Sequence, residues 1–288
     1  MISRNDPCWC KSGKKYKKCH YPEKPNIDLE KSYLKNYGIL IKNKKQVEGI
    51  KRSSKLAAKI LDQLCKAAKA GVSTLELDDL ANELHKKAGA IPAPLNYSDP
   101  PYPKSICTSI NEVVCHGIPD AKIILKDGDI LNIDVTCILD GYFGDTSRMV
   151  LIGDVDEEKK IVVKTSYDAM MESIKILSPG IRIYEVAEVI EPLAKKRGCS
   201  VVNQFVGHGV GVAFHEPPQI PFSYNKIQVP FVPGMIFTIE PMINAGVREA
   251  VIDPTDAWTA RTKDSKPSAQ WEHTILITET GHEILTIL

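Results

Sequence analysis

Two aspartates on one predicted β-hairpin are the side chains of this sequence most suited to chemistry. Apolar and polar residues alternate along the first arm of the stretch 129–145, which is typical of a strand with one face in a core. The Asp-Gly dipeptide at 140–141 favours a two-residue turn, and such a turn sets Thr136 opposite Asp145. Asp134 is then the diagonal neighbour of Asp145 on the polar face, roughly 7–8 Å away at the backbone. Two negative charges this close favour a bound metal, and the alternative is two solvated acids beside a turn.

Two glutamates and a histidine elsewhere in the chain can complete a metal site. Glu240 shares a predicted strand face with Thr238, and Glu272 shares another with Thr274. His208 lies between two glycines, where the bare backbone permits close approach to a ligand. Four carboxylates and one imidazole suit two divalent ions, because one ion would poorly satisfy four negative charges. The predicted metal ligands are Asp134, Asp145, His208, Glu240 and Glu272.

Two helix pairs are expected to position these strands. Apolar residues recur at helical spacing in four stretches of the chain. Ser73 and Glu76 form a capping-box pattern at the start of the second stretch. The predicted helices cover 47–68, 73–88, 156–177 and 183–197.

The two helix pairs are related by an internal repeat. Glycines, a glutamate, a leucine and two lysines of the first pair recur in the second pair at a constant offset of 109 residues. Two later matches follow in the same order, with His116 equivalent to His208 and Asp134 equivalent to Glu240. Ordered matches of this kind indicate an ancient duplication, so we expect two similar halves with Asp134 and Glu240 facing each other across a shared cleft. The matched helical positions are Gly71, Glu76, Leu84, Lys86, Lys87 and Gly89 in the first pair and Gly180, Glu185, Leu193, Lys195, Lys196 and Gly198 in the second.

The composition is that of a soluble globular protein. The 288 residues are 43% hydrophobic and 25% charged, with a net charge of +1. This length suits one large domain, or one domain with a small appendage. The sequence has no apolar run of membrane-spanning length and no signal-peptide pattern, so we expect a cytoplasmic protein with no membrane partner. The eight cysteines suit reduced thiols plus one metal site better than a disulfide framework.

Residues 1–24 differ in composition from the rest of the chain. Seven basic residues against two acidic residues give this segment a net charge of +5. The segment has almost no aliphatic residues to form a core, so a structural zinc ion would supply the missing folding free energy. Its lysines, with Trp9 and Tyr16, fit either nucleic-acid binding or a solvated basic face. The predicted zinc ligands are Cys8, Cys10, Cys19 and His20, and free thiols are the alternative.

The stretch 5–20 resembles the SEC-C zinc motif. It keeps the four zinc ligands of that motif and carries Lys11 where the family usually has glycine. The resemblance implies docking to a partner such as the ribosome or a translocation component. Residues 25–43 follow, and their proline, asparagine and glycine residues predict a linker or a segment that wraps around the next domain.

The stretch 41–288 resembles the type I methionine aminopeptidases, which are metallopeptidases with the pita-bread fold. The motifs that carry the resemblance are Asn132–Val135, Gly144–Ser147, Gly207–Gly211, Phe214–Pro217, Ile239–Met242 and Trp271–Thr274. The resemblance implies an α+β fold with two pseudo-symmetric halves, an antiparallel sheet core and outer helices. We therefore divide the chain into a zinc motif at 1–24, a linker at 25–43 and a catalytic domain at 44–288.

The same resemblance implies a role for each predicted metal ligand. Asp134 would chelate one divalent ion, and His208 and Glu240 would bind a second ion. Asp145 and Glu272 would bridge the two ions. This ligand set tolerates several metals, and Co, Mn, Fe, Zn and Ni are the candidates.

Catalytic and substrate-binding residues also follow from the resemblance. Glu240 would act as general base, His215 would stabilise the tetrahedral oxyanion, and His116 would orient the scissile amide. Without the resemblance, either histidine alone would be interpreted as an ordinary loop imidazole. The methionine side chain would enter a pocket whose residues, without the resemblance, would be interpreted as core. The predicted pocket residues are Tyr97, Tyr102, Cys107, Phe214 and Trp258.

These roles together predict an enzyme that removes the N-terminal methionine from nascent proteins with a small second residue. A dinuclear metal site would activate a water to attack the first peptide bond. A relative of prolidase or aminopeptidase P is the alternative enzyme, although such relatives usually carry a much larger N-terminal domain. A binding protein that keeps the fold without catalysis is the alternative from another class, and five intact metal ligands argue against it.

Overall fold

The computed structural model of the protein describes residues 3–8, 13–19 and 29–288. Its described part contains α-helices on the outside of antiparallel sheets. The helices are α1 (Leu29–Tyr37), α2 (Lys44–Ala67), α3 (Thr74–Lys87), α4 (Glu157–Lys175) and α5 (Ile183–Lys196). The strands are β1 (Ile91–Pro92), β2 (Cys107–Ile110), β3 (Val113–Cys115), β4 (Ile130–Leu139), β5 (Tyr142–Leu151), β6 (Ser200–Val201), β7 (Gly207–Gly209), β8 (Glu216–Ile220), β9 (Ile236–Ile239), β10 (Met242–Asn244), β11 (Ala250–Ile252), β12 (Ala260–Thr262), β13 (Ser268–Gln270), β14 (His273–Ile277) and β15 (His282–Ile284).

The four predicted helices all form, as α2 to α5, and polar side chains fix where they begin. The capping box predicted at the start of α3 is confirmed. The Glu76 backbone N–H donates to Ser73 Oγ at 3.2 Å, and the Ser73 backbone N–H donates to Glu76 Oε2 at 2.8 Å. At the start of α4, Asp156 Oδ1 accepts from the Lys159 backbone N–H at 2.9 Å.

The central hairpin of β4 and β5 has the register that the Asp-Gly turn predicts. Thr136 pairs with Asp145, and the turn residues Asp140 and Gly141 both have positive φ, at 53° and 78°. β4 also pairs with β2 and β1. Along the apolar face of β4, Leu131, Ile133, Val135 and Cys137 are buried. Side chains alternate along a strand, so Asp134 lies on the opposite face.

Each half of the molecule packs a helix pair on a sheet. In the first half, Leu61 of α2 and Leu77 of α3 share a buried cluster with Ile133 of β4. In the second half, α4 packs against the sheet of order β13-β10-β6, and α5 contacts β6 of that sheet and β8 of the sheet of order β15-β14-β9-β7-β8. Ile190 of α5 and Phe237 of β9 share a second buried cluster. The predicted fold of two similar halves is confirmed.

Residues 29–43 pack against the second half of the molecule. Tyr33, Ile39 and Ile41 are buried in the core cluster of that half, and the Lys42 backbone N–H donates to Gly234 O at 2.9 Å. This segment, which begins with the unpredicted helix α1, is thus part of the folded structure, and the division of the chain at residues 24 and 43 stays a prediction. Residues 25–28 lie outside the described residues.

The SEC-C stretch is described in part. The Cys8 backbone N–H donates to Lys14 O at 2.8 Å, and Tyr16 is buried at the start of a short 3-10 helix, Tyr16–Lys18. Cys8 and Cys19 are described, whereas the other two predicted zinc ligands, Cys10 and His20, lie outside the described residues. The structural zinc site stays a prediction. No helix in the described part of the chain has both the length and the apolarity to cross a membrane.

Candidate active site

Strands from both halves bring the five predicted metal ligands to one cavity. The cavity has a volume of about 320 Å³ and lies between the hairpin of the first half and the sheet of the second. His208 Nε2 is 3.7 Å from Asp145 Oδ2 and 3.5 Å from Glu240 Oε1. One ligand atom each from Asp145, His208 and Glu272 lie within 4.8 Å of one another. Asp134 lines the same cavity, one diagonal step along the hairpin from Asp145.

Hydrogen bonds from neighbouring side chains orient the carboxylates of this cluster. Thr136 Oγ1 donates to Asp145 Oδ1 at 2.7 Å. Glu240 accepts from Thr238 Oγ1 at 2.6 Å and from Gln270 Nε2 at 2.9 Å. These hydrogen bonds hold the two carboxylates in fixed rotamers. Metal ligands in proteins are commonly oriented in this way.

His208 is held so that one ring nitrogen faces the acids. Its backbone N–H donates to Thr238 Oγ1 at 2.9 Å, and its Nδ1 lies 3.1 Å from Gly209 O. A carbonyl oxygen can only accept, so Nδ1 carries the ring hydrogen and Nε2 keeps its lone pair. Burial lowers the pKa of His208 to about 4, so the ring is neutral and can serve as a ligand.

The buried acids lie close enough to disfavour one another's negative charge, and bound cations would relieve this repulsion. Burial raises the pKa of Asp145 to about 7. Burial, and then the charge of Asp145, hold the pKa values of Asp134 and Glu272 well above their usual range, and burial does the same for Glu240. No lysine or arginine is among the described residues that line the cavity. The donor set, with four carboxylates and one neutral imidazole, thus fits a pair of divalent cations.

Two further histidines line the cavity beside the acids. His116 has a positive φ of 57°, and its ring makes edge contacts with Phe205 at 5.6 Å and Trp258 at 6.0 Å. The centroid of the His215 ring lies 4.2 Å from that of His208. Burial lowers the pKa of His116 to about 4 and that of His215 to about 3, so both rings are neutral at physiological pH.

A buried ion pair joins residues 29–43 to the start of β8, next to His215. Lys42 Nζ lies 2.9 Å from Glu216 Oε1, and the two side chains are 1% and 11% exposed. The Val212 backbone N–H also donates to Glu216 Oε1, at 3.3 Å. Residues 29–43 thereby contact the residue that follows the cavity residue His215.

All five residues predicted for the methionine pocket line the same cavity as the acids. Tyr102 is buried, and its hydroxyl shares its single hydrogen between Ile106 O, at 3.1 Å, and Gly117 O, at 2.9 Å. Its ring makes an edge contact with Trp258 at 5.2 Å. That these residues hold a methionine side chain stays a prediction, and the five that line the cavity are Tyr97, Tyr102, Cys107, Phe214 and Trp258.

Sequence reasoning missed several cavity residues. Gln270 lines the cavity and donates to Glu240. Met242 follows Glu240 by two positions, so the alternation along the predicted strand could have identified Met242 as a cavity residue. Cys115 precedes His116 and lines the same cavity. Phe205 has no such local signal, because it lies in a loop and reaches the cavity only through the tertiary fold.

Comparison with known proteins identifies the family. A model of metallopeptidase family M24 matches residues 48–279, and a model of the SEC-C motif matches residues 4–22. The chain belongs to metallopeptidase family M24. It is 57% identical over 290 residues to a methionine aminopeptidase of Chlamydia pneumoniae, which covers 100% of this chain and 99% of that protein. This M24 chain is therefore an aminopeptidase.

Solved structures of the family agree with the fold of this aminopeptidase. The methionine aminopeptidase of Rickettsia prowazekii has a TM-score of 0.83 and 46% identity, and the match covers 86% of this chain and 100% of that one. A prolidase of Pyrococcus horikoshii has a TM-score of 0.70 with 22% identity over 86% of this chain and 63% of that one. At that identity, the likeness to prolidase shows the shared fold alone.

Proposed function

We propose that this M24 aminopeptidase releases methionine from the N-termini of nascent proteins whose second residue is small. The observation that supports this most directly is that five metal-type ligands, two further neutral histidines and several aromatic rings line one cavity of about 320 Å³. The 57% identical relative is named a methionine aminopeptidase, and this supports the same substrate here.

Two divalent cations are the cofactor that the acids would hold. The side chains that would hold these cations are those of Asp134, Asp145, His208, Glu240 and Glu272. When bound, such a pair lowers the pKa of a water and polarises the scissile carbonyl.

The chain's own side chains would do the remaining work. Glu240 accepts the proton of the attacking water, because its carboxylate lines the cavity and is held in place by Thr238 and Gln270. His215 is neutral and carries one ring hydrogen, so it can donate to the oxyanion that forms at the scissile carbonyl. His116 lines the same cavity and orients the scissile amide.

The aromatic side of the cavity suits a methionine side chain. Thioether sulfur makes favourable contacts with aromatic rings, and the rings of Tyr97 and Phe214 lie 4.8 Å apart on this side. The buried thiol of Cys107 adds a second polarisable group. An unbranched, flexible side chain fits such an irregular pocket.

The decisive experiment is metal reconstitution with a defined peptide. Metal-free protein is assayed on Met-Ala-Ser after each of Co, Mn, Fe, Zn and Ni is added back singly, and release of free methionine is measured. We expect metal-dependent release of methionine, about three orders of magnitude slower in Asp134→Asn with the fold retained by circular dichroism. Cleavage of Xaa-Pro peptides in preference to Met-Ala-Ser, or full activity of Asp134→Asn, would contradict the proposal.

The basic N-terminal segment supports a second proposal, that the SEC-C stretch holds the enzyme at the ribosome, where nascent chains emerge. Its charge of +5 suits phosphate-rich surfaces. In a Cys8→Ser, Cys10→Ser double variant, we expect one zinc fewer per chain and reduced co-sedimentation with ribosomes. A Cys65→Ser, Cys199→Ser variant serves as the control for cysteine loss. Unchanged co-sedimentation of the first variant would overturn this proposal and leave the peptidase assignment intact.

A further inference from the structure

A tyrosine of the first half holds the ring of His215, which lies in the second half. The Tyr97 hydroxyl is 2.7 Å from His215 Nδ1, although 118 residues separate them in sequence. The two rings are 5.1 Å apart at their centroids, and Tyr97 also packs on Phe214 at 4.8 Å. Sequence reasoning gave Tyr97 only the role of a pocket wall, which does not require a hydroxyl.

The 2.7 Å between the Tyr97 hydroxyl and His215 Nδ1 is the length of a single hydrogen bond, so one of the two atoms donates and the other accepts. At pH 7 a phenol is neutral, and an ordinary imidazole is mostly neutral. A neutral imidazole has one nitrogen that donates and one that accepts, and a phenol has a single hydrogen to donate. The hydrogen bond therefore decides which nitrogen of His215 carries the ring hydrogen.

The chemistry of the two groups selects one arrangement. An imidazole nitrogen is a stronger base than a phenol oxygen, so the hydroxyl is the better donor and Nδ1 the better acceptor. We propose that the Tyr97 hydroxyl donates to His215 Nδ1 and thereby fixes the tautomer that carries its hydrogen on Nε2. This inference rests on the proposed function, in which His215 donates a hydrogen bond to the oxyanion. Tyr97 is then a positioning residue for His215 in addition to a pocket wall.

The two roles of Tyr97 predict different kinetics. Tyr97→Phe removes only the hydroxyl and keeps the ring that contacts Phe214. If the hydroxyl fixes the tautomer, kcat on Met-Ala-Ser falls roughly 10–100-fold while KM changes less than about twofold. A raised KM with unchanged kcat, or kinetics like those of the native enzyme, overturns the inference. Tyr224→Phe is the matched control, because it removes a hydroxyl from a side chain that is 65% exposed.

A double-mutant cycle tests whether Tyr97 acts through His215. His215→Ala is expected to lower kcat by about 10²–10³, the loss typical of an oxyanion donor. If Tyr97 acts only through His215, then adding Tyr97→Phe to His215→Ala produces no further loss of kcat. A further loss equal to that of the single Tyr97→Phe variant overturns the inference.

The tautomer itself can be observed without turnover. In zinc-loaded full-length protein with ¹⁵N-labelled histidine, the ring signals of His215 are assigned by their loss in His215→Ala. We expect the ¹⁵N shift of an unprotonated nitrogen for Nδ1 and that of a protonated nitrogen for Nε2, with a mixture of tautomers in Tyr97→Phe. The opposite pattern in the native chain overturns the inference even if Tyr97→Phe fails to fold. Because this measurement does not depend on methionine release, it separates failure of the inference from failure of the proposed function.

Discussion

The two halves of the aminopeptidase repeat the same backbone contacts at equivalent positions. The Gly71 N–H donates to Leu125 O at 2.8 Å, and the equivalent Gly180 N–H donates to Phe231 O at 2.9 Å. Both glycines have nearly the same positive φ, 92° and 98°. Such agreement at both ends of a long-range contact supports the duplication that the sequence repeat indicates.

Equivalent histidines of the two halves have different neighbours, which are acids in the second half and aromatic rings in the first. His208 of the second half has its Nε2 within 3.7 Å of Asp145 and within 3.5 Å of Glu240. The equivalent His116 makes its ring contacts with Phe205 and Trp258. The repeat places one histidine in each half, and this difference in neighbours is why the proposed function gives a metal to His208 and the substrate to His116.

The largest effect we predict is a difference between these two histidines. His208→Ala should lower kcat/KM on Met-Ala-Ser by about 10³ or more and should reduce the bound metal, because it removes a ligand nitrogen. His116→Ala should lower kcat by about 10² and keep the native metal content. Kinetic assays combined with elemental analysis of bound metal measure both effects. Equal metal loss in the two variants would refute the division of roles.

Local sequence patterns predicted one part of this site and could not predict the other. The pairing of Thr136 with Asp145 follows from strand alternation and the Asp-Gly turn, because both are properties of neighbouring residues. The contact of Tyr97 with His215 joins two loops 118 residues apart. The ion pair of Lys42 with Glu216 joins the segment 29–43 to the residue that follows His215. Such contacts depend on how the elements pack, and no local periodicity encodes them.

Residues 29–43 pack on the second half, and the second prediction concerns this contact. The segment contributes Ile41 to the core of the second half and the buried ion pair of Lys42 with Glu216. Lys42→Met should lower the free energy of unfolding by about 3–5 kcal/mol, because it leaves Glu216 mostly buried without its cation. Denaturant unfolding measures this loss.

A surface ion pair provides the control for Lys42→Met. Lys51 and Glu283 lie 2.7 Å apart, and their side chains are 36% and 45% exposed. Lys51→Met should cost less than about 1 kcal/mol, because solvent screens exposed pairs. The prediction fails if the two methionine variants lose the same stability.

Both halves contribute acids to the cavity, and the third prediction concerns the pH dependence of stability that these acids cause. Asp145 has a pKa of about 7 in the folded protein, above its value of about 3.9 in an unfolded chain. The folded state therefore binds more protons between these values, so the stability of metal-free protein falls as pH rises from about 4 to 7. Melting temperatures of EDTA-treated protein should fall over this window, and the fall should be shallower in Asp145→Asn. A melting temperature that rises with pH in this window would contradict the raised pKa.

The smallest predicted effect compares the starts of α3 and α5, the equivalent helices of the two halves. Both helices use a glutamate to accept from the preceding backbone N–H, Glu76 from Ser73 at 2.8 Å and Glu185 from Arg182 at 2.8 Å. Only Ser73 also accepts with its side chain, from the Glu76 N–H at 3.2 Å, because arginine has no acceptor atom. Ser73→Ala should therefore cost about 1 kcal/mol of unfolding free energy, and Arg182→Ala at most a few tenths. Thermal unfolding of the two variants at one pH measures the difference, and an equal cost would show that the glutamates alone stabilise the starts of both helices.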